Sequence, residues 1–396
     1  MQLSVLKSKP ILIFCWALLL RVLMCVVVAA VSGIAWRNLA LFFDGHIYIL
    51  IAKTLPKLYG DVYTIFPAFP KSANYLTGWF PLYPAVMFLA DSILKDMRLS
   101  ALLCAMVLSS LSVVLFYRLA KKEIDCPGAA AVLFSFFPPT WLLSGSLAFV
   151  EPLYVGLFIL AMYLFLQDNS VGSIILASLV IITQKSGFLI ILIMFIINCI
   201  RDGNKNIVRS WPLLLSFIPA LIMQGYLGWL FHDPLVNINT HKAVFGGTYF
   251  AFPAQFFLRD LFLSGSPFQG LFWLRKITIV GALCFYAGTF VWSWPRRNAA
   301  TMPYLVWLGV VLTFTLCLSG DSAFYAFPRF MAVAAPAAIM LLAKNFPWLF
   351  SRPGLILTAV PVIVVFNGVE AISQIDLASR YWGPEYFRAL VYFLGR

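Results

Sequence analysis

Acidic side chains are scarce in this sequence. Only 15 Asp and Glu stand among 396 residues, against 28 Lys and Arg, and charged residues of both signs make up 11%. A water-exposed surface needs far more charge, so a soluble chain of two or three globular domains is excluded. Histidine is scarcer still, at three residues, and no HExxH or His/Cys cluster occurs, which excludes a zinc centre of those side chains. Cys15, Cys25, Cys104, Cys126, Cys199, Cys284 and Cys317 form no CxxC, fall mostly inside apolar runs and read as packing residues. A P-loop, a GxGxxG and a nucleophile elbow are all missing. There is no soluble domain, repeat or low-complexity stretch, and so no evident place to bind a nucleotide or a nucleotide-sugar.

Apolar sequence is what the chain has instead. Hydrophobic residues make up 62% and mean hydropathy is +0.93. The expected fold class is an all-α polytopic membrane protein, because lipid leaves helices as the only non-barrel way to span. Spans are expected near 11–33, 99–119, 128–148, 152–166, 171–184, 187–200, 211–231, 275–294, 303–319, 329–343 and 354–368, about eleven crossings by a 20-residue window. The first run follows Lys7 and Lys9, but it is too long for a signal peptide and lacks a cleavage site, so it counts as a span.

Charge sets the orientation. With the N-terminus cytoplasmic, 117–123, 167–170, 201–209, 295–298 and 344–353 fall inside, and four of these five loops carry a Lys/Arg excess. The regions 34–98 and 232–274 become first and second outer loops of a single membrane domain, with an outer tail at 369–396. The net charge of +13 is spread through short loops, which suits orientation and contact with lipid phosphates rather than nucleic acid. Two surface helices are expected in the first outer loop. One is 82–94. The other is 45–60, where Ile47, Leu50, Ile51 and Leu55 share a face and His46, Lys53 and Lys57 lie elsewhere.

With so few acids, each position matters. Asp44, in "FFDGHIYILIAKTL", precedes a helix and reads as an N-cap or as a general base held at the membrane boundary. Glu151, in "AFVEPLYVG", reads as a solvated turn residue or as a site carboxylate on the same outer side. Lys185 in "ITQKSGFL" and Arg329 in "AFYAFPRFMAV" read as snorkelling anchors or as two cations for a phosphate-bearing substrate. Trp79, Phe80 and Tyr83 in "GWFPLYPAV" suit an aromatic belt, with Pro81 and Pro84 fixing the start of the surface helix. Arg21 sits mid-span without a partner evident in the sequence. His232 and His241 read as solvated loop residues.

The ordered elements "FFDGHIYILIAK", "GWFPLYPAVMFLA", "FPPTWLLSGSLAFVEPLYVGLFIL", "TQKSG" and "FPRFMAVAAPAAIML" resemble the GT-C membrane glycosyltransferases. The likeness is to the GPI mannosyltransferase 2 (Pig-V-like) group and its prokaryotic relatives, over most of residues 40–345. Phe43 stands where that group has Trp, His46 follows Asp44 by two residues rather than three, and Lys185 stands where Arg is common. The resemblance implies transfer of a sugar, mannose by family default, from a polyprenyl- or dolichyl-phosphate donor to a lipid or glycan acceptor. Transfer would invert the anomeric centre on the non-cytoplasmic face, and the implied location is a prokaryotic inner membrane or, alternatively, the endoplasmic reticulum. It implies Asp44 as general base and substrate contacts from Glu151, Lys185, Arg329, His46, Tyr48, Trp79 and Tyr83, with no metal and no cofactor. The rival expectation is a multi-span transporter or flippase of a lipid-linked substrate, which predicts repeats, broken helices and charges at mid-depth.

Overall fold

A computed structural model describes residues 10–55, 62–67, 73–202, 208–245, 272–318 and 323–394. Lys7, Lys9, Lys57, the inner-loop residues 203–207, most of the second outer loop (246–271) and the side chain of His241 lie outside that description.

The fold is all-helical among the described residues. Helices α1 (Pro10–Ser32), α2 (Gly45–Thr54), α3 (Leu82–Leu94), α4 (Met97–Glu123), α5 (Pro127–Phe136), α6 (Pro139–Ser144), α7 (Glu151–Leu166) and α8 (Ser170–Ile181) come first. They are followed by α9 (Leu189–Asp202), α10 (Ile218–Phe231), α11 (Val236–Phe245), α12 (Phe272–Ser293), α13 (Met302–Cys317), α14 (Ala323–Phe330), α15 (Ala335–Asn345) and α16 (Pro353–Leu394). By length and composition, Pro10–Ser32, Met97–Glu123, Ser210–Phe231 and Arg275–Arg296 can each cross a membrane. The bent pair Phe327–Val333 and Ala335–Asn345 adds a fifth candidate, and other expected crossings correspond to apolar helices of 10–17 residues. This is a membrane protein.

Small residues bring the helices together. Along α4, Ser100, Ala101, Ala105, Ser109, Ser110, Ser112 and Ala120 are buried. A Cβ on Gly156 of α7 would meet Ser112 Oγ at 2.6 Å, so glycine there sets the α4–α7 distance. Across that seam Ser112 Oγ donates to Pro152 O at 3.0 Å, and Ser109 Oγ donates to Gly145 O at 3.2 Å. Lipid offers no hydrophobic drive between helices, so such close packing and hydrogen bonding is what holds the bundle.

Arg21 finds its surroundings at the same seam. It is wholly buried, donates through Nε to Ser109 Oγ (3.2 Å) and through Nη1 to Ala17 O (3.3 Å), and lies 5.8 Å from the centre of the Trp141 ring. Carbonyl, hydroxyl and aromatic groups solvate it, with no carboxylate in an ion pair with it among the described residues.

The loops expected inside gather at one end. Lys344 Nζ pairs with Glu123 Oε2 at 2.6 Å, Arg201 with Asp168 at 3.4 Å, and Asn345 Nδ2 donates to Ser293 Oγ at 2.8 Å. Glu151, Lys185 and Arg329 sit at the opposite ends of the helices that those loops join.

Four expectations change. The run 128–148 is not one straight span: Pro138 and Pro139 separate α5 from α6, since neither can donate to a helical ladder. The run 329–343 is also broken, with its two parts bent by 66° between Pro328 and Pro336. The tail is no separate outer segment. Instead α16 runs unbroken through 42 residues, about 60 Å at 1.5 Å per residue and well beyond the bilayer core. On that helix, Glu370 forms a buried ion pair with Arg275 of α12 at 3.1 Å.

The end of α16 also changes the surroundings of α2. Phe387 packs on Phe42 (5.6 Å between ring centres), Tyr386 lies edge-on to His46 (6.1 Å), and Lys53 Nζ donates to Leu394 O at 3.4 Å. Helix α2 is therefore buried on all sides rather than on one face, from Gly45 through Ala52. Helix α3 keeps the expected surface character, exposing Phe88, Leu89, Ile93 and Leu94.

Two apolar clusters result. One fills the bundle of α4, α5, α7, α8, α9, α12, α13 and α15, and the other lies under α2, α3 and the end of α16. Val150 belongs to the second and Tyr154 to the first. Glu151 stands between them, at the seam.

Candidate functional site

Asp44 occupies the N-cap position of α2, yet its side chain makes no capping hydrogen bond. Its carboxylate turns to Arg329 instead, with Nη2 donating to Oδ2 at 2.6 Å. The capping alternative fails for that reason. Local backbone geometry supports the turn. Phe43 holds a left-handed φ of 48°, a conformation that costs a bulky residue about 1–3 kcal/mol and collects at functional sites. The next residue must be glycine, because a Cβ on Gly45 would meet Ala40 O at 2.2 Å and Ala148 Cβ at 3.2 Å.

Glu151 is the first residue of α7 and is 2% exposed, so the solvated-turn alternative is overturned. Position alone favours a carboxylate at a helix N-terminus. Its Oε1 accepts a close hydrogen bond from Arg329 Nε. Its Oε2 is buried without a hydrogen-bond partner among the described residues. The guanidinium of Arg329 lies over the Phe149 ring at 4.8 Å, and Phe149 stacks on Phe43 with ring centres 5.9 Å apart. Three chain segments thus build one unit: Asp44, Arg329 and Glu151 joined in series, resting on two stacked aromatics. A charge-assisted chain of this kind is stiff, since each member fixes its neighbour.

Beside the unit lies a cavity of about 370 Å³. Asp44, Tyr48, Trp79, Phe80, Tyr154, Lys185 and Arg329 line it, together with Phe314 and Leu318 near the end of α13. Lys185 begins the short 3-10 turn Lys185–Phe188 between α8 and α9. Its Nζ donates to the backbone carbonyl of Asn237 at 3.3 Å, and no ion pair holds it among the described residues. Burial lowers its pKa to about 7. An incoming anion would restore the charge by supplying the missing partner.

The other expected contacts divide. Tyr48 and Trp79 reach the cavity, whereas Tyr83 supports it from behind, edge-on to Tyr48 at 5.3 Å with its hydroxyl donating to Ala101 O at 3.4 Å. His46 does not line the cavity. It is 1% exposed, and burial lowers its imidazole pKa to about 4, so it is a neutral packing group. Glu151 reaches the site only through Arg329.

Residues missed in the sequence also line the cavity: Tyr154, Thr183, Gln184, Ser186 and Thr315. Ser186 Oγ donates to the Tyr154 hydroxyl at 3.2 Å. Tyr154 had a signal in the sequence, since it lies three residues after Glu151 and so on the same face of α7. Gln184 and Ser186 flank Lys185 directly.

The chain is similar to two crystal structures of ArnT from Cupriavidus metallidurans, one bound to undecaprenyl phosphate and one in the apo state. Identity is 13% for both, with TM-scores of 0.47 and 0.48; the likeness covers 95% and 94% of this chain and 77% and 76% of theirs. Likeness of that degree identifies neither an activity nor a ligand. No protein-family model matches the sequence, and no curated protein matches it significantly.

Proposed function

We propose that this chain is a GT-C-type glycosyltransferase. It moves a sugar, mannose, from a polyprenyl-phosphate donor to a lipid-linked or membrane-proximal acceptor on the non-cytoplasmic face of a prokaryotic inner membrane. The observation that carries the reading is the placement of Asp44: a carboxylate that declines its helix cap and faces a cavity lined also by a cation with no carboxylate partner among the described residues. The ordered sequence elements and the lining of the cavity both support this reading.

In this reading Lys185 receives the donor phosphate. A hydroxyl oxygen of the acceptor attacks the anomeric carbon from the face opposite the phosphate. The new C–O bond forms as the bond to the phosphate oxygen breaks, so configuration inverts. The hydroxyl proton passes to the free oxygen of Asp44, and the bonding pair leaves with the lipid phosphate, whose added charge Lys185 offsets. Arg329 holds Asp44 Oδ2 and leaves Oδ1 to accept the proton; Glu151 holds Arg329. Tyr48 and Trp79 bound the sugar.

The test is sugar transfer from labelled polyprenyl-phosphate mannose in membranes, wild type against Asp44→Asn. Asn has the same shape as Asp and keeps an amide oxygen to accept from Arg329 Nη2, so the variant folds, and the expected loss is about 10²–10⁴-fold in kcat. A variant as active as wild type removes Asp44 from the mechanism. Passage of the intact lipid-sugar across the bilayer, without its consumption, replaces the enzyme with a flippase.

A further inference from the structure

Four consecutive residues, Thr183, Gln184, Lys185 and Ser186, line the cavity. Three have their side-chain polar groups engaged. Thr183 Oγ1 donates to Leu179 O at 2.6 Å, Lys185 Nζ to Asn237 O at 3.3 Å, and Ser186 Oγ to the Tyr154 hydroxyl at 3.2 Å. Gln184 differs. Its backbone is satisfied, with N donating to Val180 O at 3.3 Å and O accepting from Gly187 N at 2.8 Å, and its side chain does not cap the turn that it precedes. Its Oε1 is shielded from solvent without a hydrogen-bond partner among the described residues. A buried acceptor left unpaired costs stability, and native folds rarely keep one without a use.

The chemistry of that atom narrows what can meet it. An amide oxygen needs a donor. A lipid phosphodiester carries no proton at neutral pH and cannot supply one, whereas a sugar hydroxyl can. Lys185, the next residue, is the group that receives the donor phosphate in the reading above, on which this inference rests. The two Cα atoms are about 3.8 Å apart. The phosphate is bonded to the anomeric carbon, so the nearest hydroxyl of the same sugar is the one on the adjacent carbon. We infer that Gln184 Oε1 accepts a hydrogen bond from the 2-hydroxyl of the donor sugar, making Gln184 a specificity-determining residue that selects sugars with a free hydroxyl there. Sugars deoxygenated at that carbon are poor donors in consequence, because a site built to bond a hydroxyl strands its own acceptor when the hydroxyl is missing.

The experiment compares two probes, polyprenyl-phosphate mannose and its 2-deoxy analogue, in transfer and in binding to the purified protein in nanodiscs. A 2-deoxy sugar ionises more easily at the anomeric carbon, so a single rate ratio misleads. The decisive quantity is the ratio for wild type divided by that for Gln184→Met, in which intrinsic reactivity cancels. The expected value is about 30-fold in favour of the hydroxylated donor, with Gln184→Met preferring neither probe beyond its chemical reactivity. Gln184→Glu, which keeps an acceptor oxygen, keeps the discrimination while raising KM for the anionic donor. An unchanged ratio in Gln184→Met overturns the inference, as does a wild type that binds both probes equally. If no transfer is seen but wild type binds the mannosyl lipid more tightly than the deoxy lipid, and Gln184→Met erases that gap, the inference stands and the transfer reading falls.

Discussion

Asp44 and Arg329 meet at 2.6 Å across 285 residues of sequence. The bond ties the start of α2, in the first outer segment, to the break between α14 and α15, where the chain bends by 66°. Arg329 spends its other named donor on Glu151. The guanidinium is therefore a strut between two carboxylates, not a free cation beside them.

That arrangement predicts an asymmetric stability response. Arg329→Met strands the carboxylate of Glu151, which is 2% exposed, and breaking a buried pair in this way costs about 3–5 kcal/mol. The double variant Arg329→Met/Glu151→Gln removes the stranded charge and recovers at least half of the loss. Thermal unfolding of the four proteins in detergent, read as a double-mutant cycle, checks this; losses that simply add would mean the two groups do not interact.

Lys185 predicts a pH dependence. With its pKa near 7 in the empty cavity, the ammonium proposed to receive the phosphate is present below that pH and lost above it. Affinity for the polyprenyl-phosphate sugar, a phosphodiester that does not itself titrate in this range, is then flat below pH 7 and falls about tenfold per unit above it, one proton being taken up on binding. Lys185→Arg stays charged and removes the slope. The same depression sets a stability trend of known sign. The folded state holds its proton less tightly than the unfolded chain, so stability is lower at and below pH 7 and recovers as pH rises from 7 toward the ordinary lysine value. Lys185→Met accordingly unfolds at a higher temperature than wild type at pH 6 while binding the phosphate lipid poorly. Calorimetric titration and unfolding across pH 6–9 read both effects.

Gly45 predicts a backbone effect next to the site. Gly45→Ala places a methyl 2.2 Å from Ala40 O, and neither backbone can yield without moving α2. The expected cost is about 2–4 kcal/mol, with loss of sugar transfer even in the fraction that stays folded. A variant as stable as wild type would show that the start of α2 adjusts freely.

Arg21 predicts the opposite of what a buried charge suggests. It has no carboxylate partner among the described residues, and Ser109 Oγ already donates to Met106 O and Gly145 O. Arg21→Met then leaves no charge behind and is neutral or stabilising by about 1 kcal/mol. Marked destabilisation in an unfolding titration would mean that the carbonyl and aromatic surroundings more than offset the cost of burying the charge.

The long apolar runs made α1, α4 and α12 readable, because hydropathy is local and these helices need little else. Helix α16 was cut short at 368, since Ser373, Gln374, Asp376, Ser379 and Arg380 follow and no window over them resembles a span. That one error also left α2 looking like a helix with a free polar face. The covering residues Tyr386 and Phe387 are over 300 positions away, and nothing near His46 announces them. Among candidate site residues, the rarity of acids drew attention to Asp44 and Glu151, and the scarcity of outer cations drew it to Lys185 and Arg329. Their pairing was not legible, because charge on a sequence has no distance. Gln184 escaped for a different reason: an amide has no charge or rarity to mark it, and its significance lies in a hydrogen bond it does not make.

The strut of Arg329 between Asp44 and Glu151 has an electrical consequence. Two carboxylates against one guanidinium leave a surplus negative charge on that side, and below pH 7 a protonated Lys185 leaves the other side positive. At such a pH the cavity is polarised before anything enters it. In the proposed reaction an anionic headgroup would be repelled from one side and drawn to the other, so it would seat in a single sense, with the direction of attack set by the field of the empty site.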